Sequence, residues 1–112
     1  MMQNFNFDYD LENDDLFLYL ENKKSKGAVE LGNFIIDLDK NKEIVAIEIM
    51  NAKKVFSDAV SKILDLTKIE SINVWDFRNT GILKIDIRTE DDKVQGSISI
   101  PNLRFESPAL NC

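Results

Sequence analysis

Apolar and polar residues alternate through most of this chain, and the alternation lays out its elements. Over residues 4–9, Phe5, Phe7 and Tyr9 share one side while Asn4, Asn6 and Asp8 share the other, a period of two that predicts a half-buried strand. Residues 10–15 are a run of turn formers, and residues 16–20 make a second strand, apolar on both faces, so the pair predicts an antiparallel hairpin. A loop with Lys23, Lys24 and Lys26 follows, expected to be solvated, then a short strand over 28–31. Gly32 leads into the most strongly patterned hairpin, residues 34–39 and 43–50. Phe34, Ile36 and Leu38 form one row, and Val45, Ile47 and Ile49 another. An even loop sets Ile36 opposite Val45 and Phe34 opposite Ile47; a three-residue loop would put the rows on opposite faces. The second face then carries Ile35, Ile44, Ala46 and Met50 among Asp37 and Glu48, too apolar to stay in water and expected to be covered by the helix or, as the leading reading, by another subunit at an interface.

A period of 3.6 takes over in residues 51–65, where Ala52, Val55, Phe56, Ala59, Val60, Ile63 and Leu64 form one stripe. Lys53 and Lys54 oppose the positive end of a helix that starts at Asn51, whereas Ser57 followed by Asp58 suits a helix start. Helix is expected over 57–66, with 52–56 a first turn or connector. Residues 69–77, 82–89 and 94–100 predict a three-stranded meander over 69–100. Asp91 and Asp92 as a two-residue loop pair Glu90 with Lys93, Ile85 with Ile98 and Leu83 with Ile100. Before it, a three-residue loop with Gly81 left-handed buries Trp75 and Phe77, while a two-residue loop buries Ile72 and Val74; the larger side chains favour the first. The expected fold is α+β: an antiparallel sheet of about seven strands with one amphipathic helix packed on it, a single domain over 1–112.

Composition narrows the function. The chain has 112 residues, 44% hydrophobic and 30% charged, the balance of a globular domain. Fourteen basic against twenty acidic residues leave a net charge of −6, which argues against nucleic acid and anionic membrane as partners. With no histidine and one cysteine, Cys112, there is no intrachain disulfide, no histidine or multi-cysteine metal site, and no Ser-His-Asp or Cys-His chemistry. The four glycines are scattered singly, so no glycine-rich phosphate loop is present. No signal-peptide pattern or membrane-length apolar run stands out, and a cytoplasmic location is expected.

Tyr9, Asp10, Glu12, Asp14, Leu16 and Leu20, followed by Asp37, Asp39, Ile47, Glu48, Ile49, Asn51 and Ala52, resemble the two sequence blocks of domain-of-unknown-function (DUF) family 2283. The resemblance covers residues 5–55 and departs from the family where its turn glycine is replaced near Asn41 and Lys42, which implies that Asn41 supplies any left-handed turn residue, and where Ala46 stands for glycine. It implies a small, β-rich prokaryotic accessory domain with no established activity, and extends to an antitoxin-like role.

Two carboxylate sets invite a chemical reading. Asp8, Asp10 and Glu12 mimic the start of a calcium loop, but Asn13 and Tyr19 occupy the positions that need Gly and a bidentate Glu. Asp10, Asp37, Asp39 and Glu48 are a sharper set for Mg or Ca, or for a small molecule. Against this, carboxylates at strand ends commonly bond neighbouring backbone N–H groups. The leading expectation is a non-enzymatic, homo-oligomeric interaction module without a cofactor. The carboxylate metal or small-molecule site is the competing reading, and an acidic accessory protein with a basic protein partner the third.

Overall fold

A computed structural model describes residues 2–60, 64–77, 82–90 and 93–99. Eight strands form one antiparallel sheet: β1 (Met2–Asp10), β2 (Asp15–Tyr19), β3 (Gly27–Leu31), β4 (Phe34–Leu38), β5 (Ile44–Met50), β6 (Ile69–Phe77), β7 (Ile82–Thr89) and β8 (Lys93–Ser99), in the spatial order β3-β4-β5-β2-β1-β6-β7-β8. One helix, α1 (Ala52–Val60), and a 3-10 turn (Leu66–Lys68) connect β5 to β6. The fold class is α+β, as the pattern predicts. None of the described helices is long and apolar enough to cross a membrane.

β1 joins the two halves of the sheet. Its first residues pair with β6 (Phe5 opposite Ile72) and its later ones with β2 (Phe7 opposite Leu18, Tyr9 opposite Leu16). From there the ladder continues as two inward rows: Phe7, Leu18, Ile47, Ile36 and Val29, then Tyr9, Leu16, Ile49, Phe34 and Leu31. Leu16, Ile36 and Ile49 are fully buried. Each such side chain contributes about 1.5–3 kcal/mol by leaving water. Ile72, Leu83, Ile85 and Ile87 of the meander and Ala52 and Phe56 of α1 complete the same core.

The central hairpin departs from its expected register in an instructive way. Asp39 N–H donates to the Glu43 carbonyl and Lys42 N–H to the Asp39 carbonyl, and Lys42 is left-handed at φ 63, so the loop is the three-residue one and Lys42, not Asn41, takes the special conformation. An odd loop alone would split the apolar rows. A bulge between Asp37 and Leu38 restores them: Leu38 faces Ile44, Asp37 faces Ala46, and Val45 is the extra residue. Ile36 therefore lies opposite Ile47 and Phe34 opposite Ile49. Ile44 is buried in the core rather than on the second face.

The meander shows the same kind of slip. Phe77 pairs with Ile82, setting Trp75 opposite Lys84 and Val74 opposite Ile85. Ile72 and Val74 are buried in the core, and Trp75 lies on the other side of the sheet, its indole N–H donating to Asp86 Oδ2 at 3.1 Å. The even spacing between paired ends decides this, not side-chain size. Farther on, Arg88 pairs with Lys93 and Leu83 with Ile98, two residues from the expected register but with the same faces together.

The helix begins at Ala52, five residues before the expected start, because its cap comes from elsewhere in the chain. Asp14, left-handed at φ 54 in the β1–β2 turn, accepts from Lys53 N–H at 3.1 Å and 3.3 Å through its two carboxylate oxygens. Its backbone carbonyl accepts from Ala52 N–H at 3.0 Å. A carboxylate over the first turn offsets Lys53 and Lys54 against the helix dipole. Lys54 further pairs with Asp58 one turn on, at 2.8 Å. Leu64 and Asp65 lie outside the helix; residues 61–63 lie outside the described residues.

Candidate functional site

The residues of the two family-like blocks meet at one junction. Tyr9 from β1, Asp14 from the turn and the N-terminus of α1 converge, with the Tyr9 hydroxyl donating to Asp14 Oδ1 at 2.6 Å. Burial, and then the Asp14 carboxylate it bonds, push the Tyr9 hydroxyl up to about 12. Beside it an open cleft of about 370 Å³ is lined by Lys53, Asp65 and Thr67 among leucines. Its acid is already engaged: the Thr67 hydroxyl and N–H both donate to Asp65, which holds that carboxyl below its ordinary value. The junction fixes the helix against the sheet.

The four residues of the carboxylate set do not converge. Asp10 accepts from the Asn13 side chain and N–H, which lower its carboxyl. Asp39 accepts from the N–H groups of Glu43 and Asn41, and the Glu43 bond leads the lowering of its carboxyl. Asp10 sits level with Met50 through Asp15, whereas Asp39 faces Glu43 at the other end of β5. The length of β5, roughly 20 Å, separates them. Among the described residues no group of three or more acidic or cysteine side chains is arranged to hold a metal ion.

Asp37 and Glu48 belong to a different constellation, the outward face of β1–β5. Three rows cross it: Asp10, Asp15 and Met50; Asp8, Phe17, Glu48, Ile35 and Glu30; Asn6, Tyr19, Ala46, Asp37 and Ala28. Phe17 and Tyr19 are 41% and 40% exposed, unusual for aromatic side chains in the middle of a sheet. Ile35, Ala46 and Met50 are half-buried beside them, while Ile44 lies in the core. Glu48 sits between Phe17 and Ile35; partial burial, and then the nearby Asp15 and Asp37 charges, raise its carboxyl. Every acidic residue of the five strands (Asp8, Asp10, Asp15, Glu30, Asp37 and Glu48) lies on this face, and those strands contain no Lys or Arg.

Sequence reasoning placed Ile35, Ala46, Met50, Asp37 and Glu48 together but missed Phe17 and Tyr19. The signal was present: a strand apolar on both faces carries its second row outward unless something covers it. It also missed Asp14, although two lysines in a helix's first turn with no local cap call for an acid from another part of the chain.

The family described as protein of unknown function, DUF2283, matches residues 6–53 of this chain. An uncharacterised protein of Methanocaldococcus jannaschii is 44% identical over 66 residues, covering 58% of this chain and 57% of that protein. A Methanosarcina mazei protein provisionally named hypoxanthine phosphoribosyltransferase is 35% identical over 65 residues, covering 58% of this chain and 53% of its own length. The match therefore spans little more than half of these relatives. No solved structure matches the chain.

Proposed function

We propose that this chain, similar to DUF2283 over residues 6–53, is a non-enzymatic protein-interaction module that docks a partner on the outward face of β1–β5. The observation that carries the reading is the exposure of Phe17 and Tyr19 beside Ile35, Ala46 and Met50. Aromatic side chains left in water on a rigid sheet cost solubility without adding to the core, and such residues dominate the binding energy of interfaces. The homo-oligomer expected from the pattern stacks this face on its own copy and opposes six carboxylates with six more, so a different chain is the better occupant. The Mg or Ca reading loses its footing because Asp10 and Asp39 are committed to turns at opposite ends of the sheet. The phosphoribosyl transfer in the name of the Methanosarcina relative is not adopted: the junction cleft offers no glycine-rich cradle.

The test separates binding from folding. A Phe17→Ser/Tyr19→Ser variant is expected to keep its unfolding free energy, measured by urea titration, within about 1 kcal/mol of the parent, as exposed strand positions do. Hydrophobic-interaction chromatography is expected to show weaker retention than for the parent protein. Loss of several kcal/mol would show the aromatics to be structural and end the docking reading.

A further inference from the structure

The arrangement of charge on the outward face names its occupant. Asp15 stands level with Met50, Glu48 one step along β5, and Asp37 level with Ala46, so Asp15, Glu48 and Asp37 form a straight diagonal across β2, β5 and β4. Phe17, Tyr19 and Ala46 lie on one side of that diagonal and Met50 and Ile35 on the other. The face is thus banded: an acidic stripe between two apolar strips, with Asp8 and Glu30 at its margins and no base in any of the five strands. Diagonal neighbours in an antiparallel sheet are about 7–8 Å apart. Alternate residues of an extended chain repeat at about 6.6 Å. A strand-like segment with a cation at every second position therefore keeps step with Asp15, Glu48 and Asp37, and its side-chain stems lie across the apolar strips.

We propose that the outward face docks a basic, extended segment of a partner protein, whose alternate Arg or Lys side chains lie along the Asp15–Glu48–Asp37 diagonal and stack on Phe17 and Tyr19. The proposal rests on the docking reading and sharpens it to a partner chemistry. Arg suits the site best, since its planar head pairs with carboxylate and stacks on an aromatic face at once. The same stripe opposes a second copy of this chain, because like charges brought face to face repel.

The probes are two synthetic peptides, one alternating Arg with Thr and one alternating Glu with Thr, titrated by fluorescence anisotropy against the full chain at two salt concentrations. The Arg peptide is expected to bind and to weaken with salt, and the Glu peptide not to bind. Asp15→Asn/Asp37→Asn/Glu48→Gln is expected to weaken the Arg peptide by about tenfold or more, and Phe17→Ser/Tyr19→Ser similarly. A control with the same change in net charge away from the face, Glu12→Gln/Asp58→Asn/Glu90→Gln, is expected to change it by less than about threefold. Equal loss in the control would show that net charge alone attracts the peptide and would overturn the stripe. Binding of both peptides, each dependent on Phe17 and Tyr19, would preserve the docking face and refute its basic partner. Indifference of all binding to Phe17 and Tyr19 would instead remove the docking reading itself. Light scattering on the protein alone is expected to give a monomer; a dimer abolished by Phe17→Ser would put a second copy in place of the basic segment.

Discussion

Asp14 offers the sharpest test of how this fold is assembled. One side chain caps α1 at Lys53, holds the Tyr9 hydroxyl at 2.6 Å, and sits in a turn at φ 54. Replacing it with Ala removes a cap of about 1 kcal/mol, a hydrogen bond to a charged acceptor of about 1.5 kcal/mol, and places a methyl-bearing residue in a left-handed conformation at about 1 kcal/mol. The expected loss is about 3 kcal/mol, a large share of the stability of a domain this size. Asp14→Gly relieves the backbone and is expected to recover about 1 kcal/mol of that, while Asp14→Asn, which tolerates the turn and still accepts, costs about 1 kcal/mol. Urea denaturation at pH 7 measures these as shifts in midpoint at constant slope. A cycle with Tyr9→Phe is expected to show coupling above about 0.5 kcal/mol. If Asp14→Ala costs under about 0.5 kcal/mol, or if Ala and Gly cost the same, the junction does not hold the helix as argued.

Three further expectations follow from the geometry. Burial and the Asp14 carboxylate push the Tyr9 hydroxyl up to about 12 from 10.0, so its contribution is fully present below pH 10 and is lost as pH rises toward 12; alkaline melts should fall more steeply for the parent than for Tyr9→Phe, by about 1 kcal/mol after solvent screening. Lys42→Gly, which suits the left-handed position at φ 63, is expected to stabilise by about 0.5–1 kcal/mol in urea titrations. Deleting Val45, the extra residue of the bulge, leaves the three-residue loop and Ile36 opposite Ile47, so it should cost no more than the burial of one valine, about 1.5–3 kcal/mol in urea titrations; loss of the cooperative transition would show that the bulge itself holds the register.

What the pattern of the chain conveyed well was facing. Phe5, Phe7 and Tyr9 point inward with Leu16 and Leu18, as period two requires, and the α+β class follows from the same alternation. What it could not convey were features set by a distant residue or by one extra residue. The helix start depends on Asp14, which lies far from Lys53 in sequence and carries no local mark of a cap. The central hairpin register depends on a bulge, where an odd loop and an extra Val45 cancel, so the alternation looks the same as for an even loop. Trp75 was misplaced because its size was weighed against the pairing of Phe77 with Ile82, and backbone pairing prevailed. In the interface set, Ile44 was misassigned for the same reason as the register, while Ile35, Ala46 and Met50 share the outward face as the alternation implies.

The division of β1 between two neighbours sets the order in which the sheet can be completed. Strands β2 to β5 close onto residues 6–10 through short connections, so that portion, nearly coincident with the segment 6–53 that is similar to DUF2283, can pair while a nascent chain is still emerging. Met2 to Phe5 find their partner only across the span from Asn4 to Asn73, a separation of 69 residues. Closure over so long a loop is the slow kind of event in sheet formation. Until β6 arrives, the first residues of β1 present bare N–H and C=O groups, a third open edge beside those of β3 and β8 that closes when the meander docks.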